Sequence, residues 1–315
     1  MQFLYQIYNF DSFPDRQFQV IFHSFICLQL DYNYVSMENP GSFNQLLRRH
    51  IALPQDHGSW VFLFSPLLVG LFAGGRLTNA SFFLVSAALF AFLIRQPATI
   101  LVKVFSKRRP QRELKAAGFW TALYALLGGL SLVGLVLQGY AYVLYLAIPG
   151  LPVFAWHLYL VSRRSERRQL GIELVGSGVL ALAAPAAYWV GVGEAQAAGW
   201  LLWVLIWLQS AASIVYAYLR LGQRSLSTLP MMRERFSLAR RALMYSAFNL
   251  LVVLLLSVAR FVPVLLPLPY ALQLAETIWG SYKPAMGYKP TAIGIRQLLV
   301  SSLFTLLFIL TWNLS

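Results

Sequence analysis

The sequence predicts an all-α membrane protein, a polytopic helical bundle of about nine transmembrane helices, and three observations carry that prediction. Hydrophobic residues make up 58% of the 315 and charged residues only 11%, with a mean hydropathy of +0.62; a soluble globule usually has roughly a quarter charged residues. Apolar runs recur along the chain, most of them near the ~20 residues that cross ~30 Å of hydrocarbon. The bases fall in alternate gaps between those runs: of the 25 Lys and Arg, all but Arg16, Arg76 and Arg260 lie on one side of the resulting zigzag. Cytoplasmic loops carry such an excess, so the expected orientation is N-terminus cytoplasmic and C-terminus outside, in the cell's inner (plasma) membrane.

The first part of the chain reads differently from the rest. Residues 1–47 form an N-terminal extension, and 48–315 a single transmembrane helical domain. Residues 1–36 hold Asp11, Asp15 and Asp31 among many aromatics, with Arg16 as their only base. A secretory signal needs a basic start and a clean apolar core, and neither is present. Met37 opens a more ordinary beginning, so residues 1–36 are read as an upstream extension or a misplaced start and are assigned no function.

The apolar runs then fall at 58–74, 79–100, 116–137, 140–161, 171–192, 197–219, 241–259, 261–280 and 295–313. The first and last are short. The gaps on the outer side, at Gly74–Thr78, Gln138–Gly139 and Gly193–Gln196, hold few residues, whereas the basic gaps are longer. Pro263, Pro267 and Pro269 interrupt the region between Arg260 and Tyr270, which predicts a bent hairpin between the seventh and eighth runs. The longest basic gap, Arg220–Arg241, mixes Leu, Met and Phe with Arg; that pattern predicts a short amphipathic helix lying on the inner interface.

Composition also excludes function classes. A net charge of +14 and a pI near 10.1 could point to nucleic acid, but the bases are distributed in small groups between apolar runs, where the positive-inside bias and anionic lipid heads account for them. No nucleic-acid partner is expected. The lone Cys27 lies in the extension, and the four His residues show no i, i+4 pair and no HExxH; no metal centre and no cofactor are predicted. Small residues such as Gly128, Gly129 and Gly134, or Ala181, Ala183, Ala184 and Ala187, are read as packing within one bundle. Trp60, Trp120, Trp156, Trp189 and Trp200 are read as interface anchors.

Polar residues inside apolar runs are costly in a bilayer and become candidates for function. Asp56 and His57 stand at the inner end of the first run, Arg95 and Gln96 near the inner end of the second, and His157 near that of the fourth. Glu173 sits just inside the fifth, Glu276 in the inner third of the eighth, and Asn249 midway along the seventh. All but Asn249 share one depth, at the basic end. Arg95 and Glu276 have apolar neighbours on both sides, and one reading pairs them with each other. Arg95, Thr99 and Lys103 recur at i, i+4 and i+8, stacked on one helix face with Gln96 beside them. Arg108, Arg109 and Pro110 follow. Such a stripe suits a phosphate or carboxylate head through charge-assisted hydrogen bonds and lacks the paired carboxylates that would hold magnesium. His57, with Asp56 beside it, is the proton-handling candidate, because imidazole titrates near neutral pH; Glu276 is the third catalytic candidate.

Two stretches resemble a known family. LPQDHGSWVFLFSPLLVGL, from Leu53 to Leu71, is similar to the opening signature of the YwiC-like family of bacterial membrane proteins, whose Gln-His-Gly-x-Trp element stands here as Asp56, His57, Gly58, Ser59 and Trp60. The segment YKPTAIGIRQLLVSSLFTLLF looks like that family's C-terminal pattern. The resemblance implies an uncharacterised membrane protein, and it carries over no catalytic residue. More distantly, the architecture resembles UbiA-type intramembrane prenyltransferases. Those enzymes place an Asn-Asp-x-x-Asp-x-x-x-Asp motif, followed by Arg-Pro, where the second helix meets the cytoplasm. This chain has Arg95, Gln96, Thr99, Lys103, Arg109 and Pro110 there, and the sixth loop, where a second acidic motif belongs, holds only Glu234. Each missing Asp removes a magnesium ligand, so the likeness implies the cavity rather than the metal chemistry. In that cavity Arg95, Gln96, Thr99, Lys103 and Arg109 would face the head of an isoprenoid, quinone-like or other amphipathic lipid from the cytoplasmic side, with His157, Glu173 and Asn249 as further contacts.

Two other functions compete with lipid binding or modification: a permease for a small anion or metabolite, to which mid-depth Asn249 belongs, and a non-enzymatic assembly subunit. The orientation itself is open to test. A reporter enzyme that is active only outside the cytoplasm is expected to work when fused after Gly139 and to be silent after Ser165; the reverse pattern overturns the orientation.

Overall fold

A computed structural model describes residues 49–54, 59–164 and 170–314. The chain divides into Met1–Arg48, which lies outside the described residues, and a compact unit Arg49–Ser315. Asp56 and His57 also lie outside the described residues. After a helical turn at Arg49–Ala52 come α1 (Ser59–Ala73), α2 (Asn79–Phe105), α3 (Gln111–Leu137), α4 (Ala141–Ser162) and α5 (Leu170–Val192). Then follow α6 (Ala197–Gln223), α7 (Met232–Val258), α8 (Pro267–Tyr282) and α9 (Pro290–Asn313). Among the described residues every element is helical. Seven of these rods are long and apolar enough to cross a membrane, while α1 and α8 have 15 and 16 residues. The expectation of about nine spans thus resolves into seven full-length helices and two shorter ones.

Where the rods break, proline is the cause. The helical hydrogen bonding of α2 is interrupted at Ile94 and that of α5 at Leu182, each three residues before a proline, Pro97 and Pro185. A proline offers no N–H to the carbonyl four residues earlier and its ring crowds that carbonyl. Pro263 and Pro267 likewise keep residues 259–266 out of helix, with Arg260 at φ 61° and the Leu266 amide bonded to the Pro263 carbonyl. The eighth helix therefore starts at Pro267, where a proline at the first position is tolerated, and not at residue 261. The expected short interfacial helix between Arg220 and Arg241 is also corrected: from Met232 onward it is the first turns of α7. Glu234 accepts from the Met231 amide at 3.2 Å to start that helix, and nothing between Arg241 and Ala242 stops it.

Hydrogen bonds between elements join like ends. At the basic end, an Arg108 Nη1 donates to the Val161 carbonyl, Tyr218 Oη donates to Glu173 at 2.7 Å, and Arg224 Nε to the Tyr288 carbonyl at 2.7 Å. Arg235 Nη1, in the first turn of α7, donates to the Tyr282 carbonyl at the end of α8 at 3.0 Å. At the opposite end Tyr142 Oη donates to the Trp189 carbonyl at 3.2 Å. The rods therefore alternate up and down, and the loops rich in bases share one end. In the middle, α6 packs against α1, α5, α7, α8 and α9, and the short α1 buries one face against the bundle while Phe64, Leu68 and Phe72 stay exposed on the other.

A close backbone contact joins α1 and α5. A Cβ at Gly70 would strike the Ala184 carbonyl and the Ala187 side chain, and one at Gly191 would come within 2.8 Å of Gly74 Cα. Ala184 and Ala187 are fully buried there. Lipid is as apolar as leucine, so helices in a bilayer associate through such close backbone packing, and the alanine-rich stretch serves the bundle interior as its composition predicts. Trp189, in contrast, is 2% exposed, its Nε1 donating to the Gln196 carbonyl at 2.8 Å. It is a core residue and not an interface anchor. Gly70→Leu is expected to lower thermal stability in detergent by about 1–3 kcal/mol, the usual cost of overpacking; an unchanged melting curve would show that α1 and α5 are not in this contact.

Candidate functional site

One face of α6 is polar along most of its length. Gln209, Ser213, Tyr216, Arg220 and Gln223 recur at i, i+4, i+7, i+11 and i+14, which places them on one stripe, and all five are buried. The stripe faces α8, where Gln273, Thr277 and Ser281 are buried at i, i+4 and i+8. At mid-depth Gln209 Nε2 donates to Gln273 Oε1 at 3.1 Å, and Ser246 of α7 bonds Thr277 at 3.0 Å. Towards the basic end the partners become ionic. Arg296 of α9 grips Glu276 with two parallel bonds, Nε to Oε1 at 2.6 Å and Nη2 to Oε2 at 2.8 Å, and Tyr216 Oη donates to the same Oε1 at 2.8 Å. Two-pronged arginine–carboxylate geometry of this kind is the strong form of the contact. Gly280 has no room for a side chain because the Tyr216 ring lies against it.

Arg220 completes the end of the stripe. It is 3% exposed, and its Nη1 donates to Gln223 Oε1 at 2.8 Å, to the Gly280 carbonyl at 2.9 Å and to the Lys283 carbonyl at 2.7 Å. Gln223 adds a bond from Nε2 to the Gly280 carbonyl at 3.1 Å and accepts the Ala285 amide at 3.2 Å. The carbonyls at the C-terminus of α8 are thus met by α6 side chains, where a helix would otherwise leave them unpaired. Beside this frame lies a small open cleft, lined by Tyr216, Arg220, Tyr288, Ala292, Ile293, Arg296 and Gln297. Its enclosed space is about 20 Å³, roughly that of a single water, so a larger group could only sit at its open mouth.

Among the described residues, those singled out in the sequence do not converge on one cavity. Gln96 Nε2 donates to the His50 carbonyl at 3.1 Å, and Arg109 pairs with Glu113 at 3.0 Å, a carboxylate that His50 approaches at 3.9 Å. These contacts hold the Arg49–Ala52 turn against α2 and α3, with Tyr124 Oη donating to the Ala52 carbonyl at 3.1 Å. Arg95, Thr99 and Lys103 lie half-buried along α2 and His157 half-buried on α4. Glu173 is exposed and bonded to Tyr218. Asn249 is buried at 2% exposure; its Nδ2 donates to the Leu208 carbonyl at 2.6 Å, while its Oδ1 and Gln209 Oε1 have no partner. Of the described candidates only Glu276 enters the cleft cluster, and the cation it pairs with is Arg296, not Arg95: α9 runs beside α8, whereas that half of α2 packs on α3 and α4. Tyr216, Arg220 and Arg296 escaped the reading because Arg220 and Arg296 were absorbed into the charge pattern of the loops. The stripe periodicity from Gln209 to Gln223 is the signal for Tyr216 and Arg220; Arg296, on α9, carries no such signal.

Comparison with known proteins follows from the N-terminal half. Residues 53–188 match the family described as YwiC-like protein. The chain is 28% identical over 160 residues to "Uncharacterized protein YwiC" of Bacillus subtilis (strain 168), an alignment covering 50% of this chain and 61% of that protein. The chain thus spans less than two thirds of the length of the curated relative it matches. No solved structure matches the chain. The YwiC-like resemblance is confirmed over residues 53–188, and the cleft between α6 and α9 lies outside the matched segment.

The Glu276–Arg296 pair should behave as a coupled unit. Glu276→Leu leaves the Arg296 fork and the Tyr216 hydroxyl without their acceptor and is expected to cost about 1–3 kcal/mol. Adding Arg296→Met should cost less than the sum of the two single changes. Additive losses in a thermal-denaturation cycle would show that the pair is not formed.

Proposed function

For a multi-span membrane protein that is YwiC-like over residues 53–188, we propose a role in binding an amphipathic lipid at the basic end of the bundle. The observation that carries this reading is the cleft beside α6 and the first turns of α9. It places Arg220 and Arg296 beside Ala292 and Ile293, so charged and apolar surfaces meet within one small opening. A polar head would meet the arginines at the mouth of this opening while its chain stays in the hydrocarbon. On the positive-inside bias this end would face the cytoplasm. An isoprenoid or quinone-like lipid satisfies the same description, and the half-buried Arg95, Gln96, Thr99 and Lys103 would meet it from α2 only if the site extended across the inner surface.

A permease is the second reading, favoured by the two buried amide oxygens of Gln209 and Asn249 that lack donors, since transporters bind substrates near the bilayer midplane. Native mass spectrometry separates the two. The wild type is expected to retain bound lipid, and Ile293→Trp, which fills the apolar wall of the cleft, should lose it. Retention of the same lipid by the variant, together with a proteoliposome flux abolished by Asn249→Leu, would reject lipid binding in favour of transport.

A further inference from the structure

We infer that the cleft at the basic end of α6, α8 and α9 is an oxyanion site that takes a phosphate group. The inference builds on the lipid reading only for the chain that carries the phosphate; the anion site stands on separate observations.

The first observation is Arg220. A guanidinium removed from water is normally matched by a carboxylate, yet all three hydrogen bonds of this one leave from Nη1 and end on neutral oxygens, those of Gln223, Gly280 and Lys283. Capping the end of α8 therefore employs one nitrogen of three. Among the described residues Nε and Nη2 donate to nothing, and the side chain borders the cleft. The carbonyl ends of α8 hold the guanidinium in place through their partial negative charge, but they do not neutralise it.

The second observation is the sign of the surroundings. Glu276 is the sole carboxylate in the cluster, and Arg296 matches it with a two-pronged contact. That contact fixes the plane of the Arg296 guanidinium at the mouth, where its side chain remains 43% exposed. Arg220 is left as the excess charge. Arg224, Lys283 and Lys289 lie on the segments that frame the opening, and Arg224 is tied to the Tyr288 carbonyl.

The third observation is the direction of α9. Pro290 opens this 24-residue helix, and Ala292 and Ile293 of its first turn line the cleft. The positive end of the helix thus points at the same space as Arg220 and Arg296. A cationic ligand would be repelled by all three features, and a neutral one would leave Arg220 uncompensated. A phosphate matches the planar forks of arginine, and the cleft is open to the surface, so the anion would be met at its mouth.

The test is thermal unfolding of the detergent-purified full chain, titrated with dihexanoyl phosphatidic acid, dihexanoyl phosphatidylcholine or inorganic phosphate. Phosphatidic acid is expected to raise Tm saturably and phosphatidylcholine is not. The apparent Kd for phosphatidic acid should rise at least tenfold in Arg296→Gln and in Arg220→Gln, and stay unchanged in Arg240→Gln, a base exposed on α7. Where Arg220→Gln fails to fold, Arg296→Gln and the two lipids on the wild type decide the matter. No shift with either phosphate compound, an equal shift with phosphatidylcholine, or an equal loss in Arg240→Gln overturns the site. Inorganic phosphate stabilising as well as the lipid supports the anion site and overturns the amphiphile reading. Bound lipid that persists unchanged in both arginine variants keeps the lipid reading and overturns the anion site.

Discussion

Hydrocarbon offers no hydrogen bonds, and each polar group carried into it must find its partner inside the protein. That constraint explains why every described element is a helix and why the departures from helix fall where protein can supply the missing contacts. The α5 break ahead of Pro185 sits beside α1, with Ala184 and Ala187 fully buried against Gly70. It also explains the arrangement of side chains. Trp203 and Trp207 of α6 donate to the Gly178 and Leu174 carbonyls of α5 at 2.8 and 2.9 Å, and Tyr270 of α8 donates to the Leu205 carbonyl at 2.9 Å. Each bond satisfies a polar atom and fixes the neighbouring helix in register, so α6 becomes the element to which α5, α7, α8 and α9 are all referred.

Packing and polarity then divide the bundle. On the α1–α5 side the contact is built from Gly and Ala, where dispersion between closely spaced backbones replaces the hydrophobic effect that lipid removes. On the α6–α8–α9 side it is built from amides, hydroxyls and one ion pair. The first half gives a rigid wall. The second carries the unmatched charge and the open volume, and it is the half in which a change of ligand or of protonation would alter the balance of contacts.

Much of this was legible in the sequence because the bilayer imposes a length and a composition on each span. The nine apolar runs, the alternation of bases and the proline interruption after α7 all follow from one-dimensional rules. The ends of α7 and α8 did not: whether Arg233 to Arg241 continue α7 depends on the Glu234 contact and on the absence of a breaker, and the start of α8 depends on which of three prolines opens it. The site was less legible still. Glu276 stood out as an acid in an apolar run, but its partner lies 20 residues away across a turn, and Arg95 was as plausible by depth alone. Depth is what hydropathy reveals, whereas azimuth around the bundle comes only from helix packing.

The buried end of Arg220 shows what that azimuth does. Gln223 and Arg220 take up the carbonyls of Gly280 and Lys283, and Gln223 also receives the Ala285 amide. The segment leaving α8 is therefore folded back over α6 before it reaches Pro290 and begins α9. Gly280 leaves space for the Tyr216 ring, and Tyr216 in turn directs its hydroxyl at Glu276, which orients Arg296. Each guanidinium is thus held by contacts that need no ligand. Side chains already fixed in this way lose little conformational entropy when something binds, so the energy of an incoming charge would go to the contact itself. An arginine buried among neutral oxygens is costly to a folded chain, and its place at the wall of an open cleft, and not in the sealed middle of the seam, is where that cost can be offset by a bound anion.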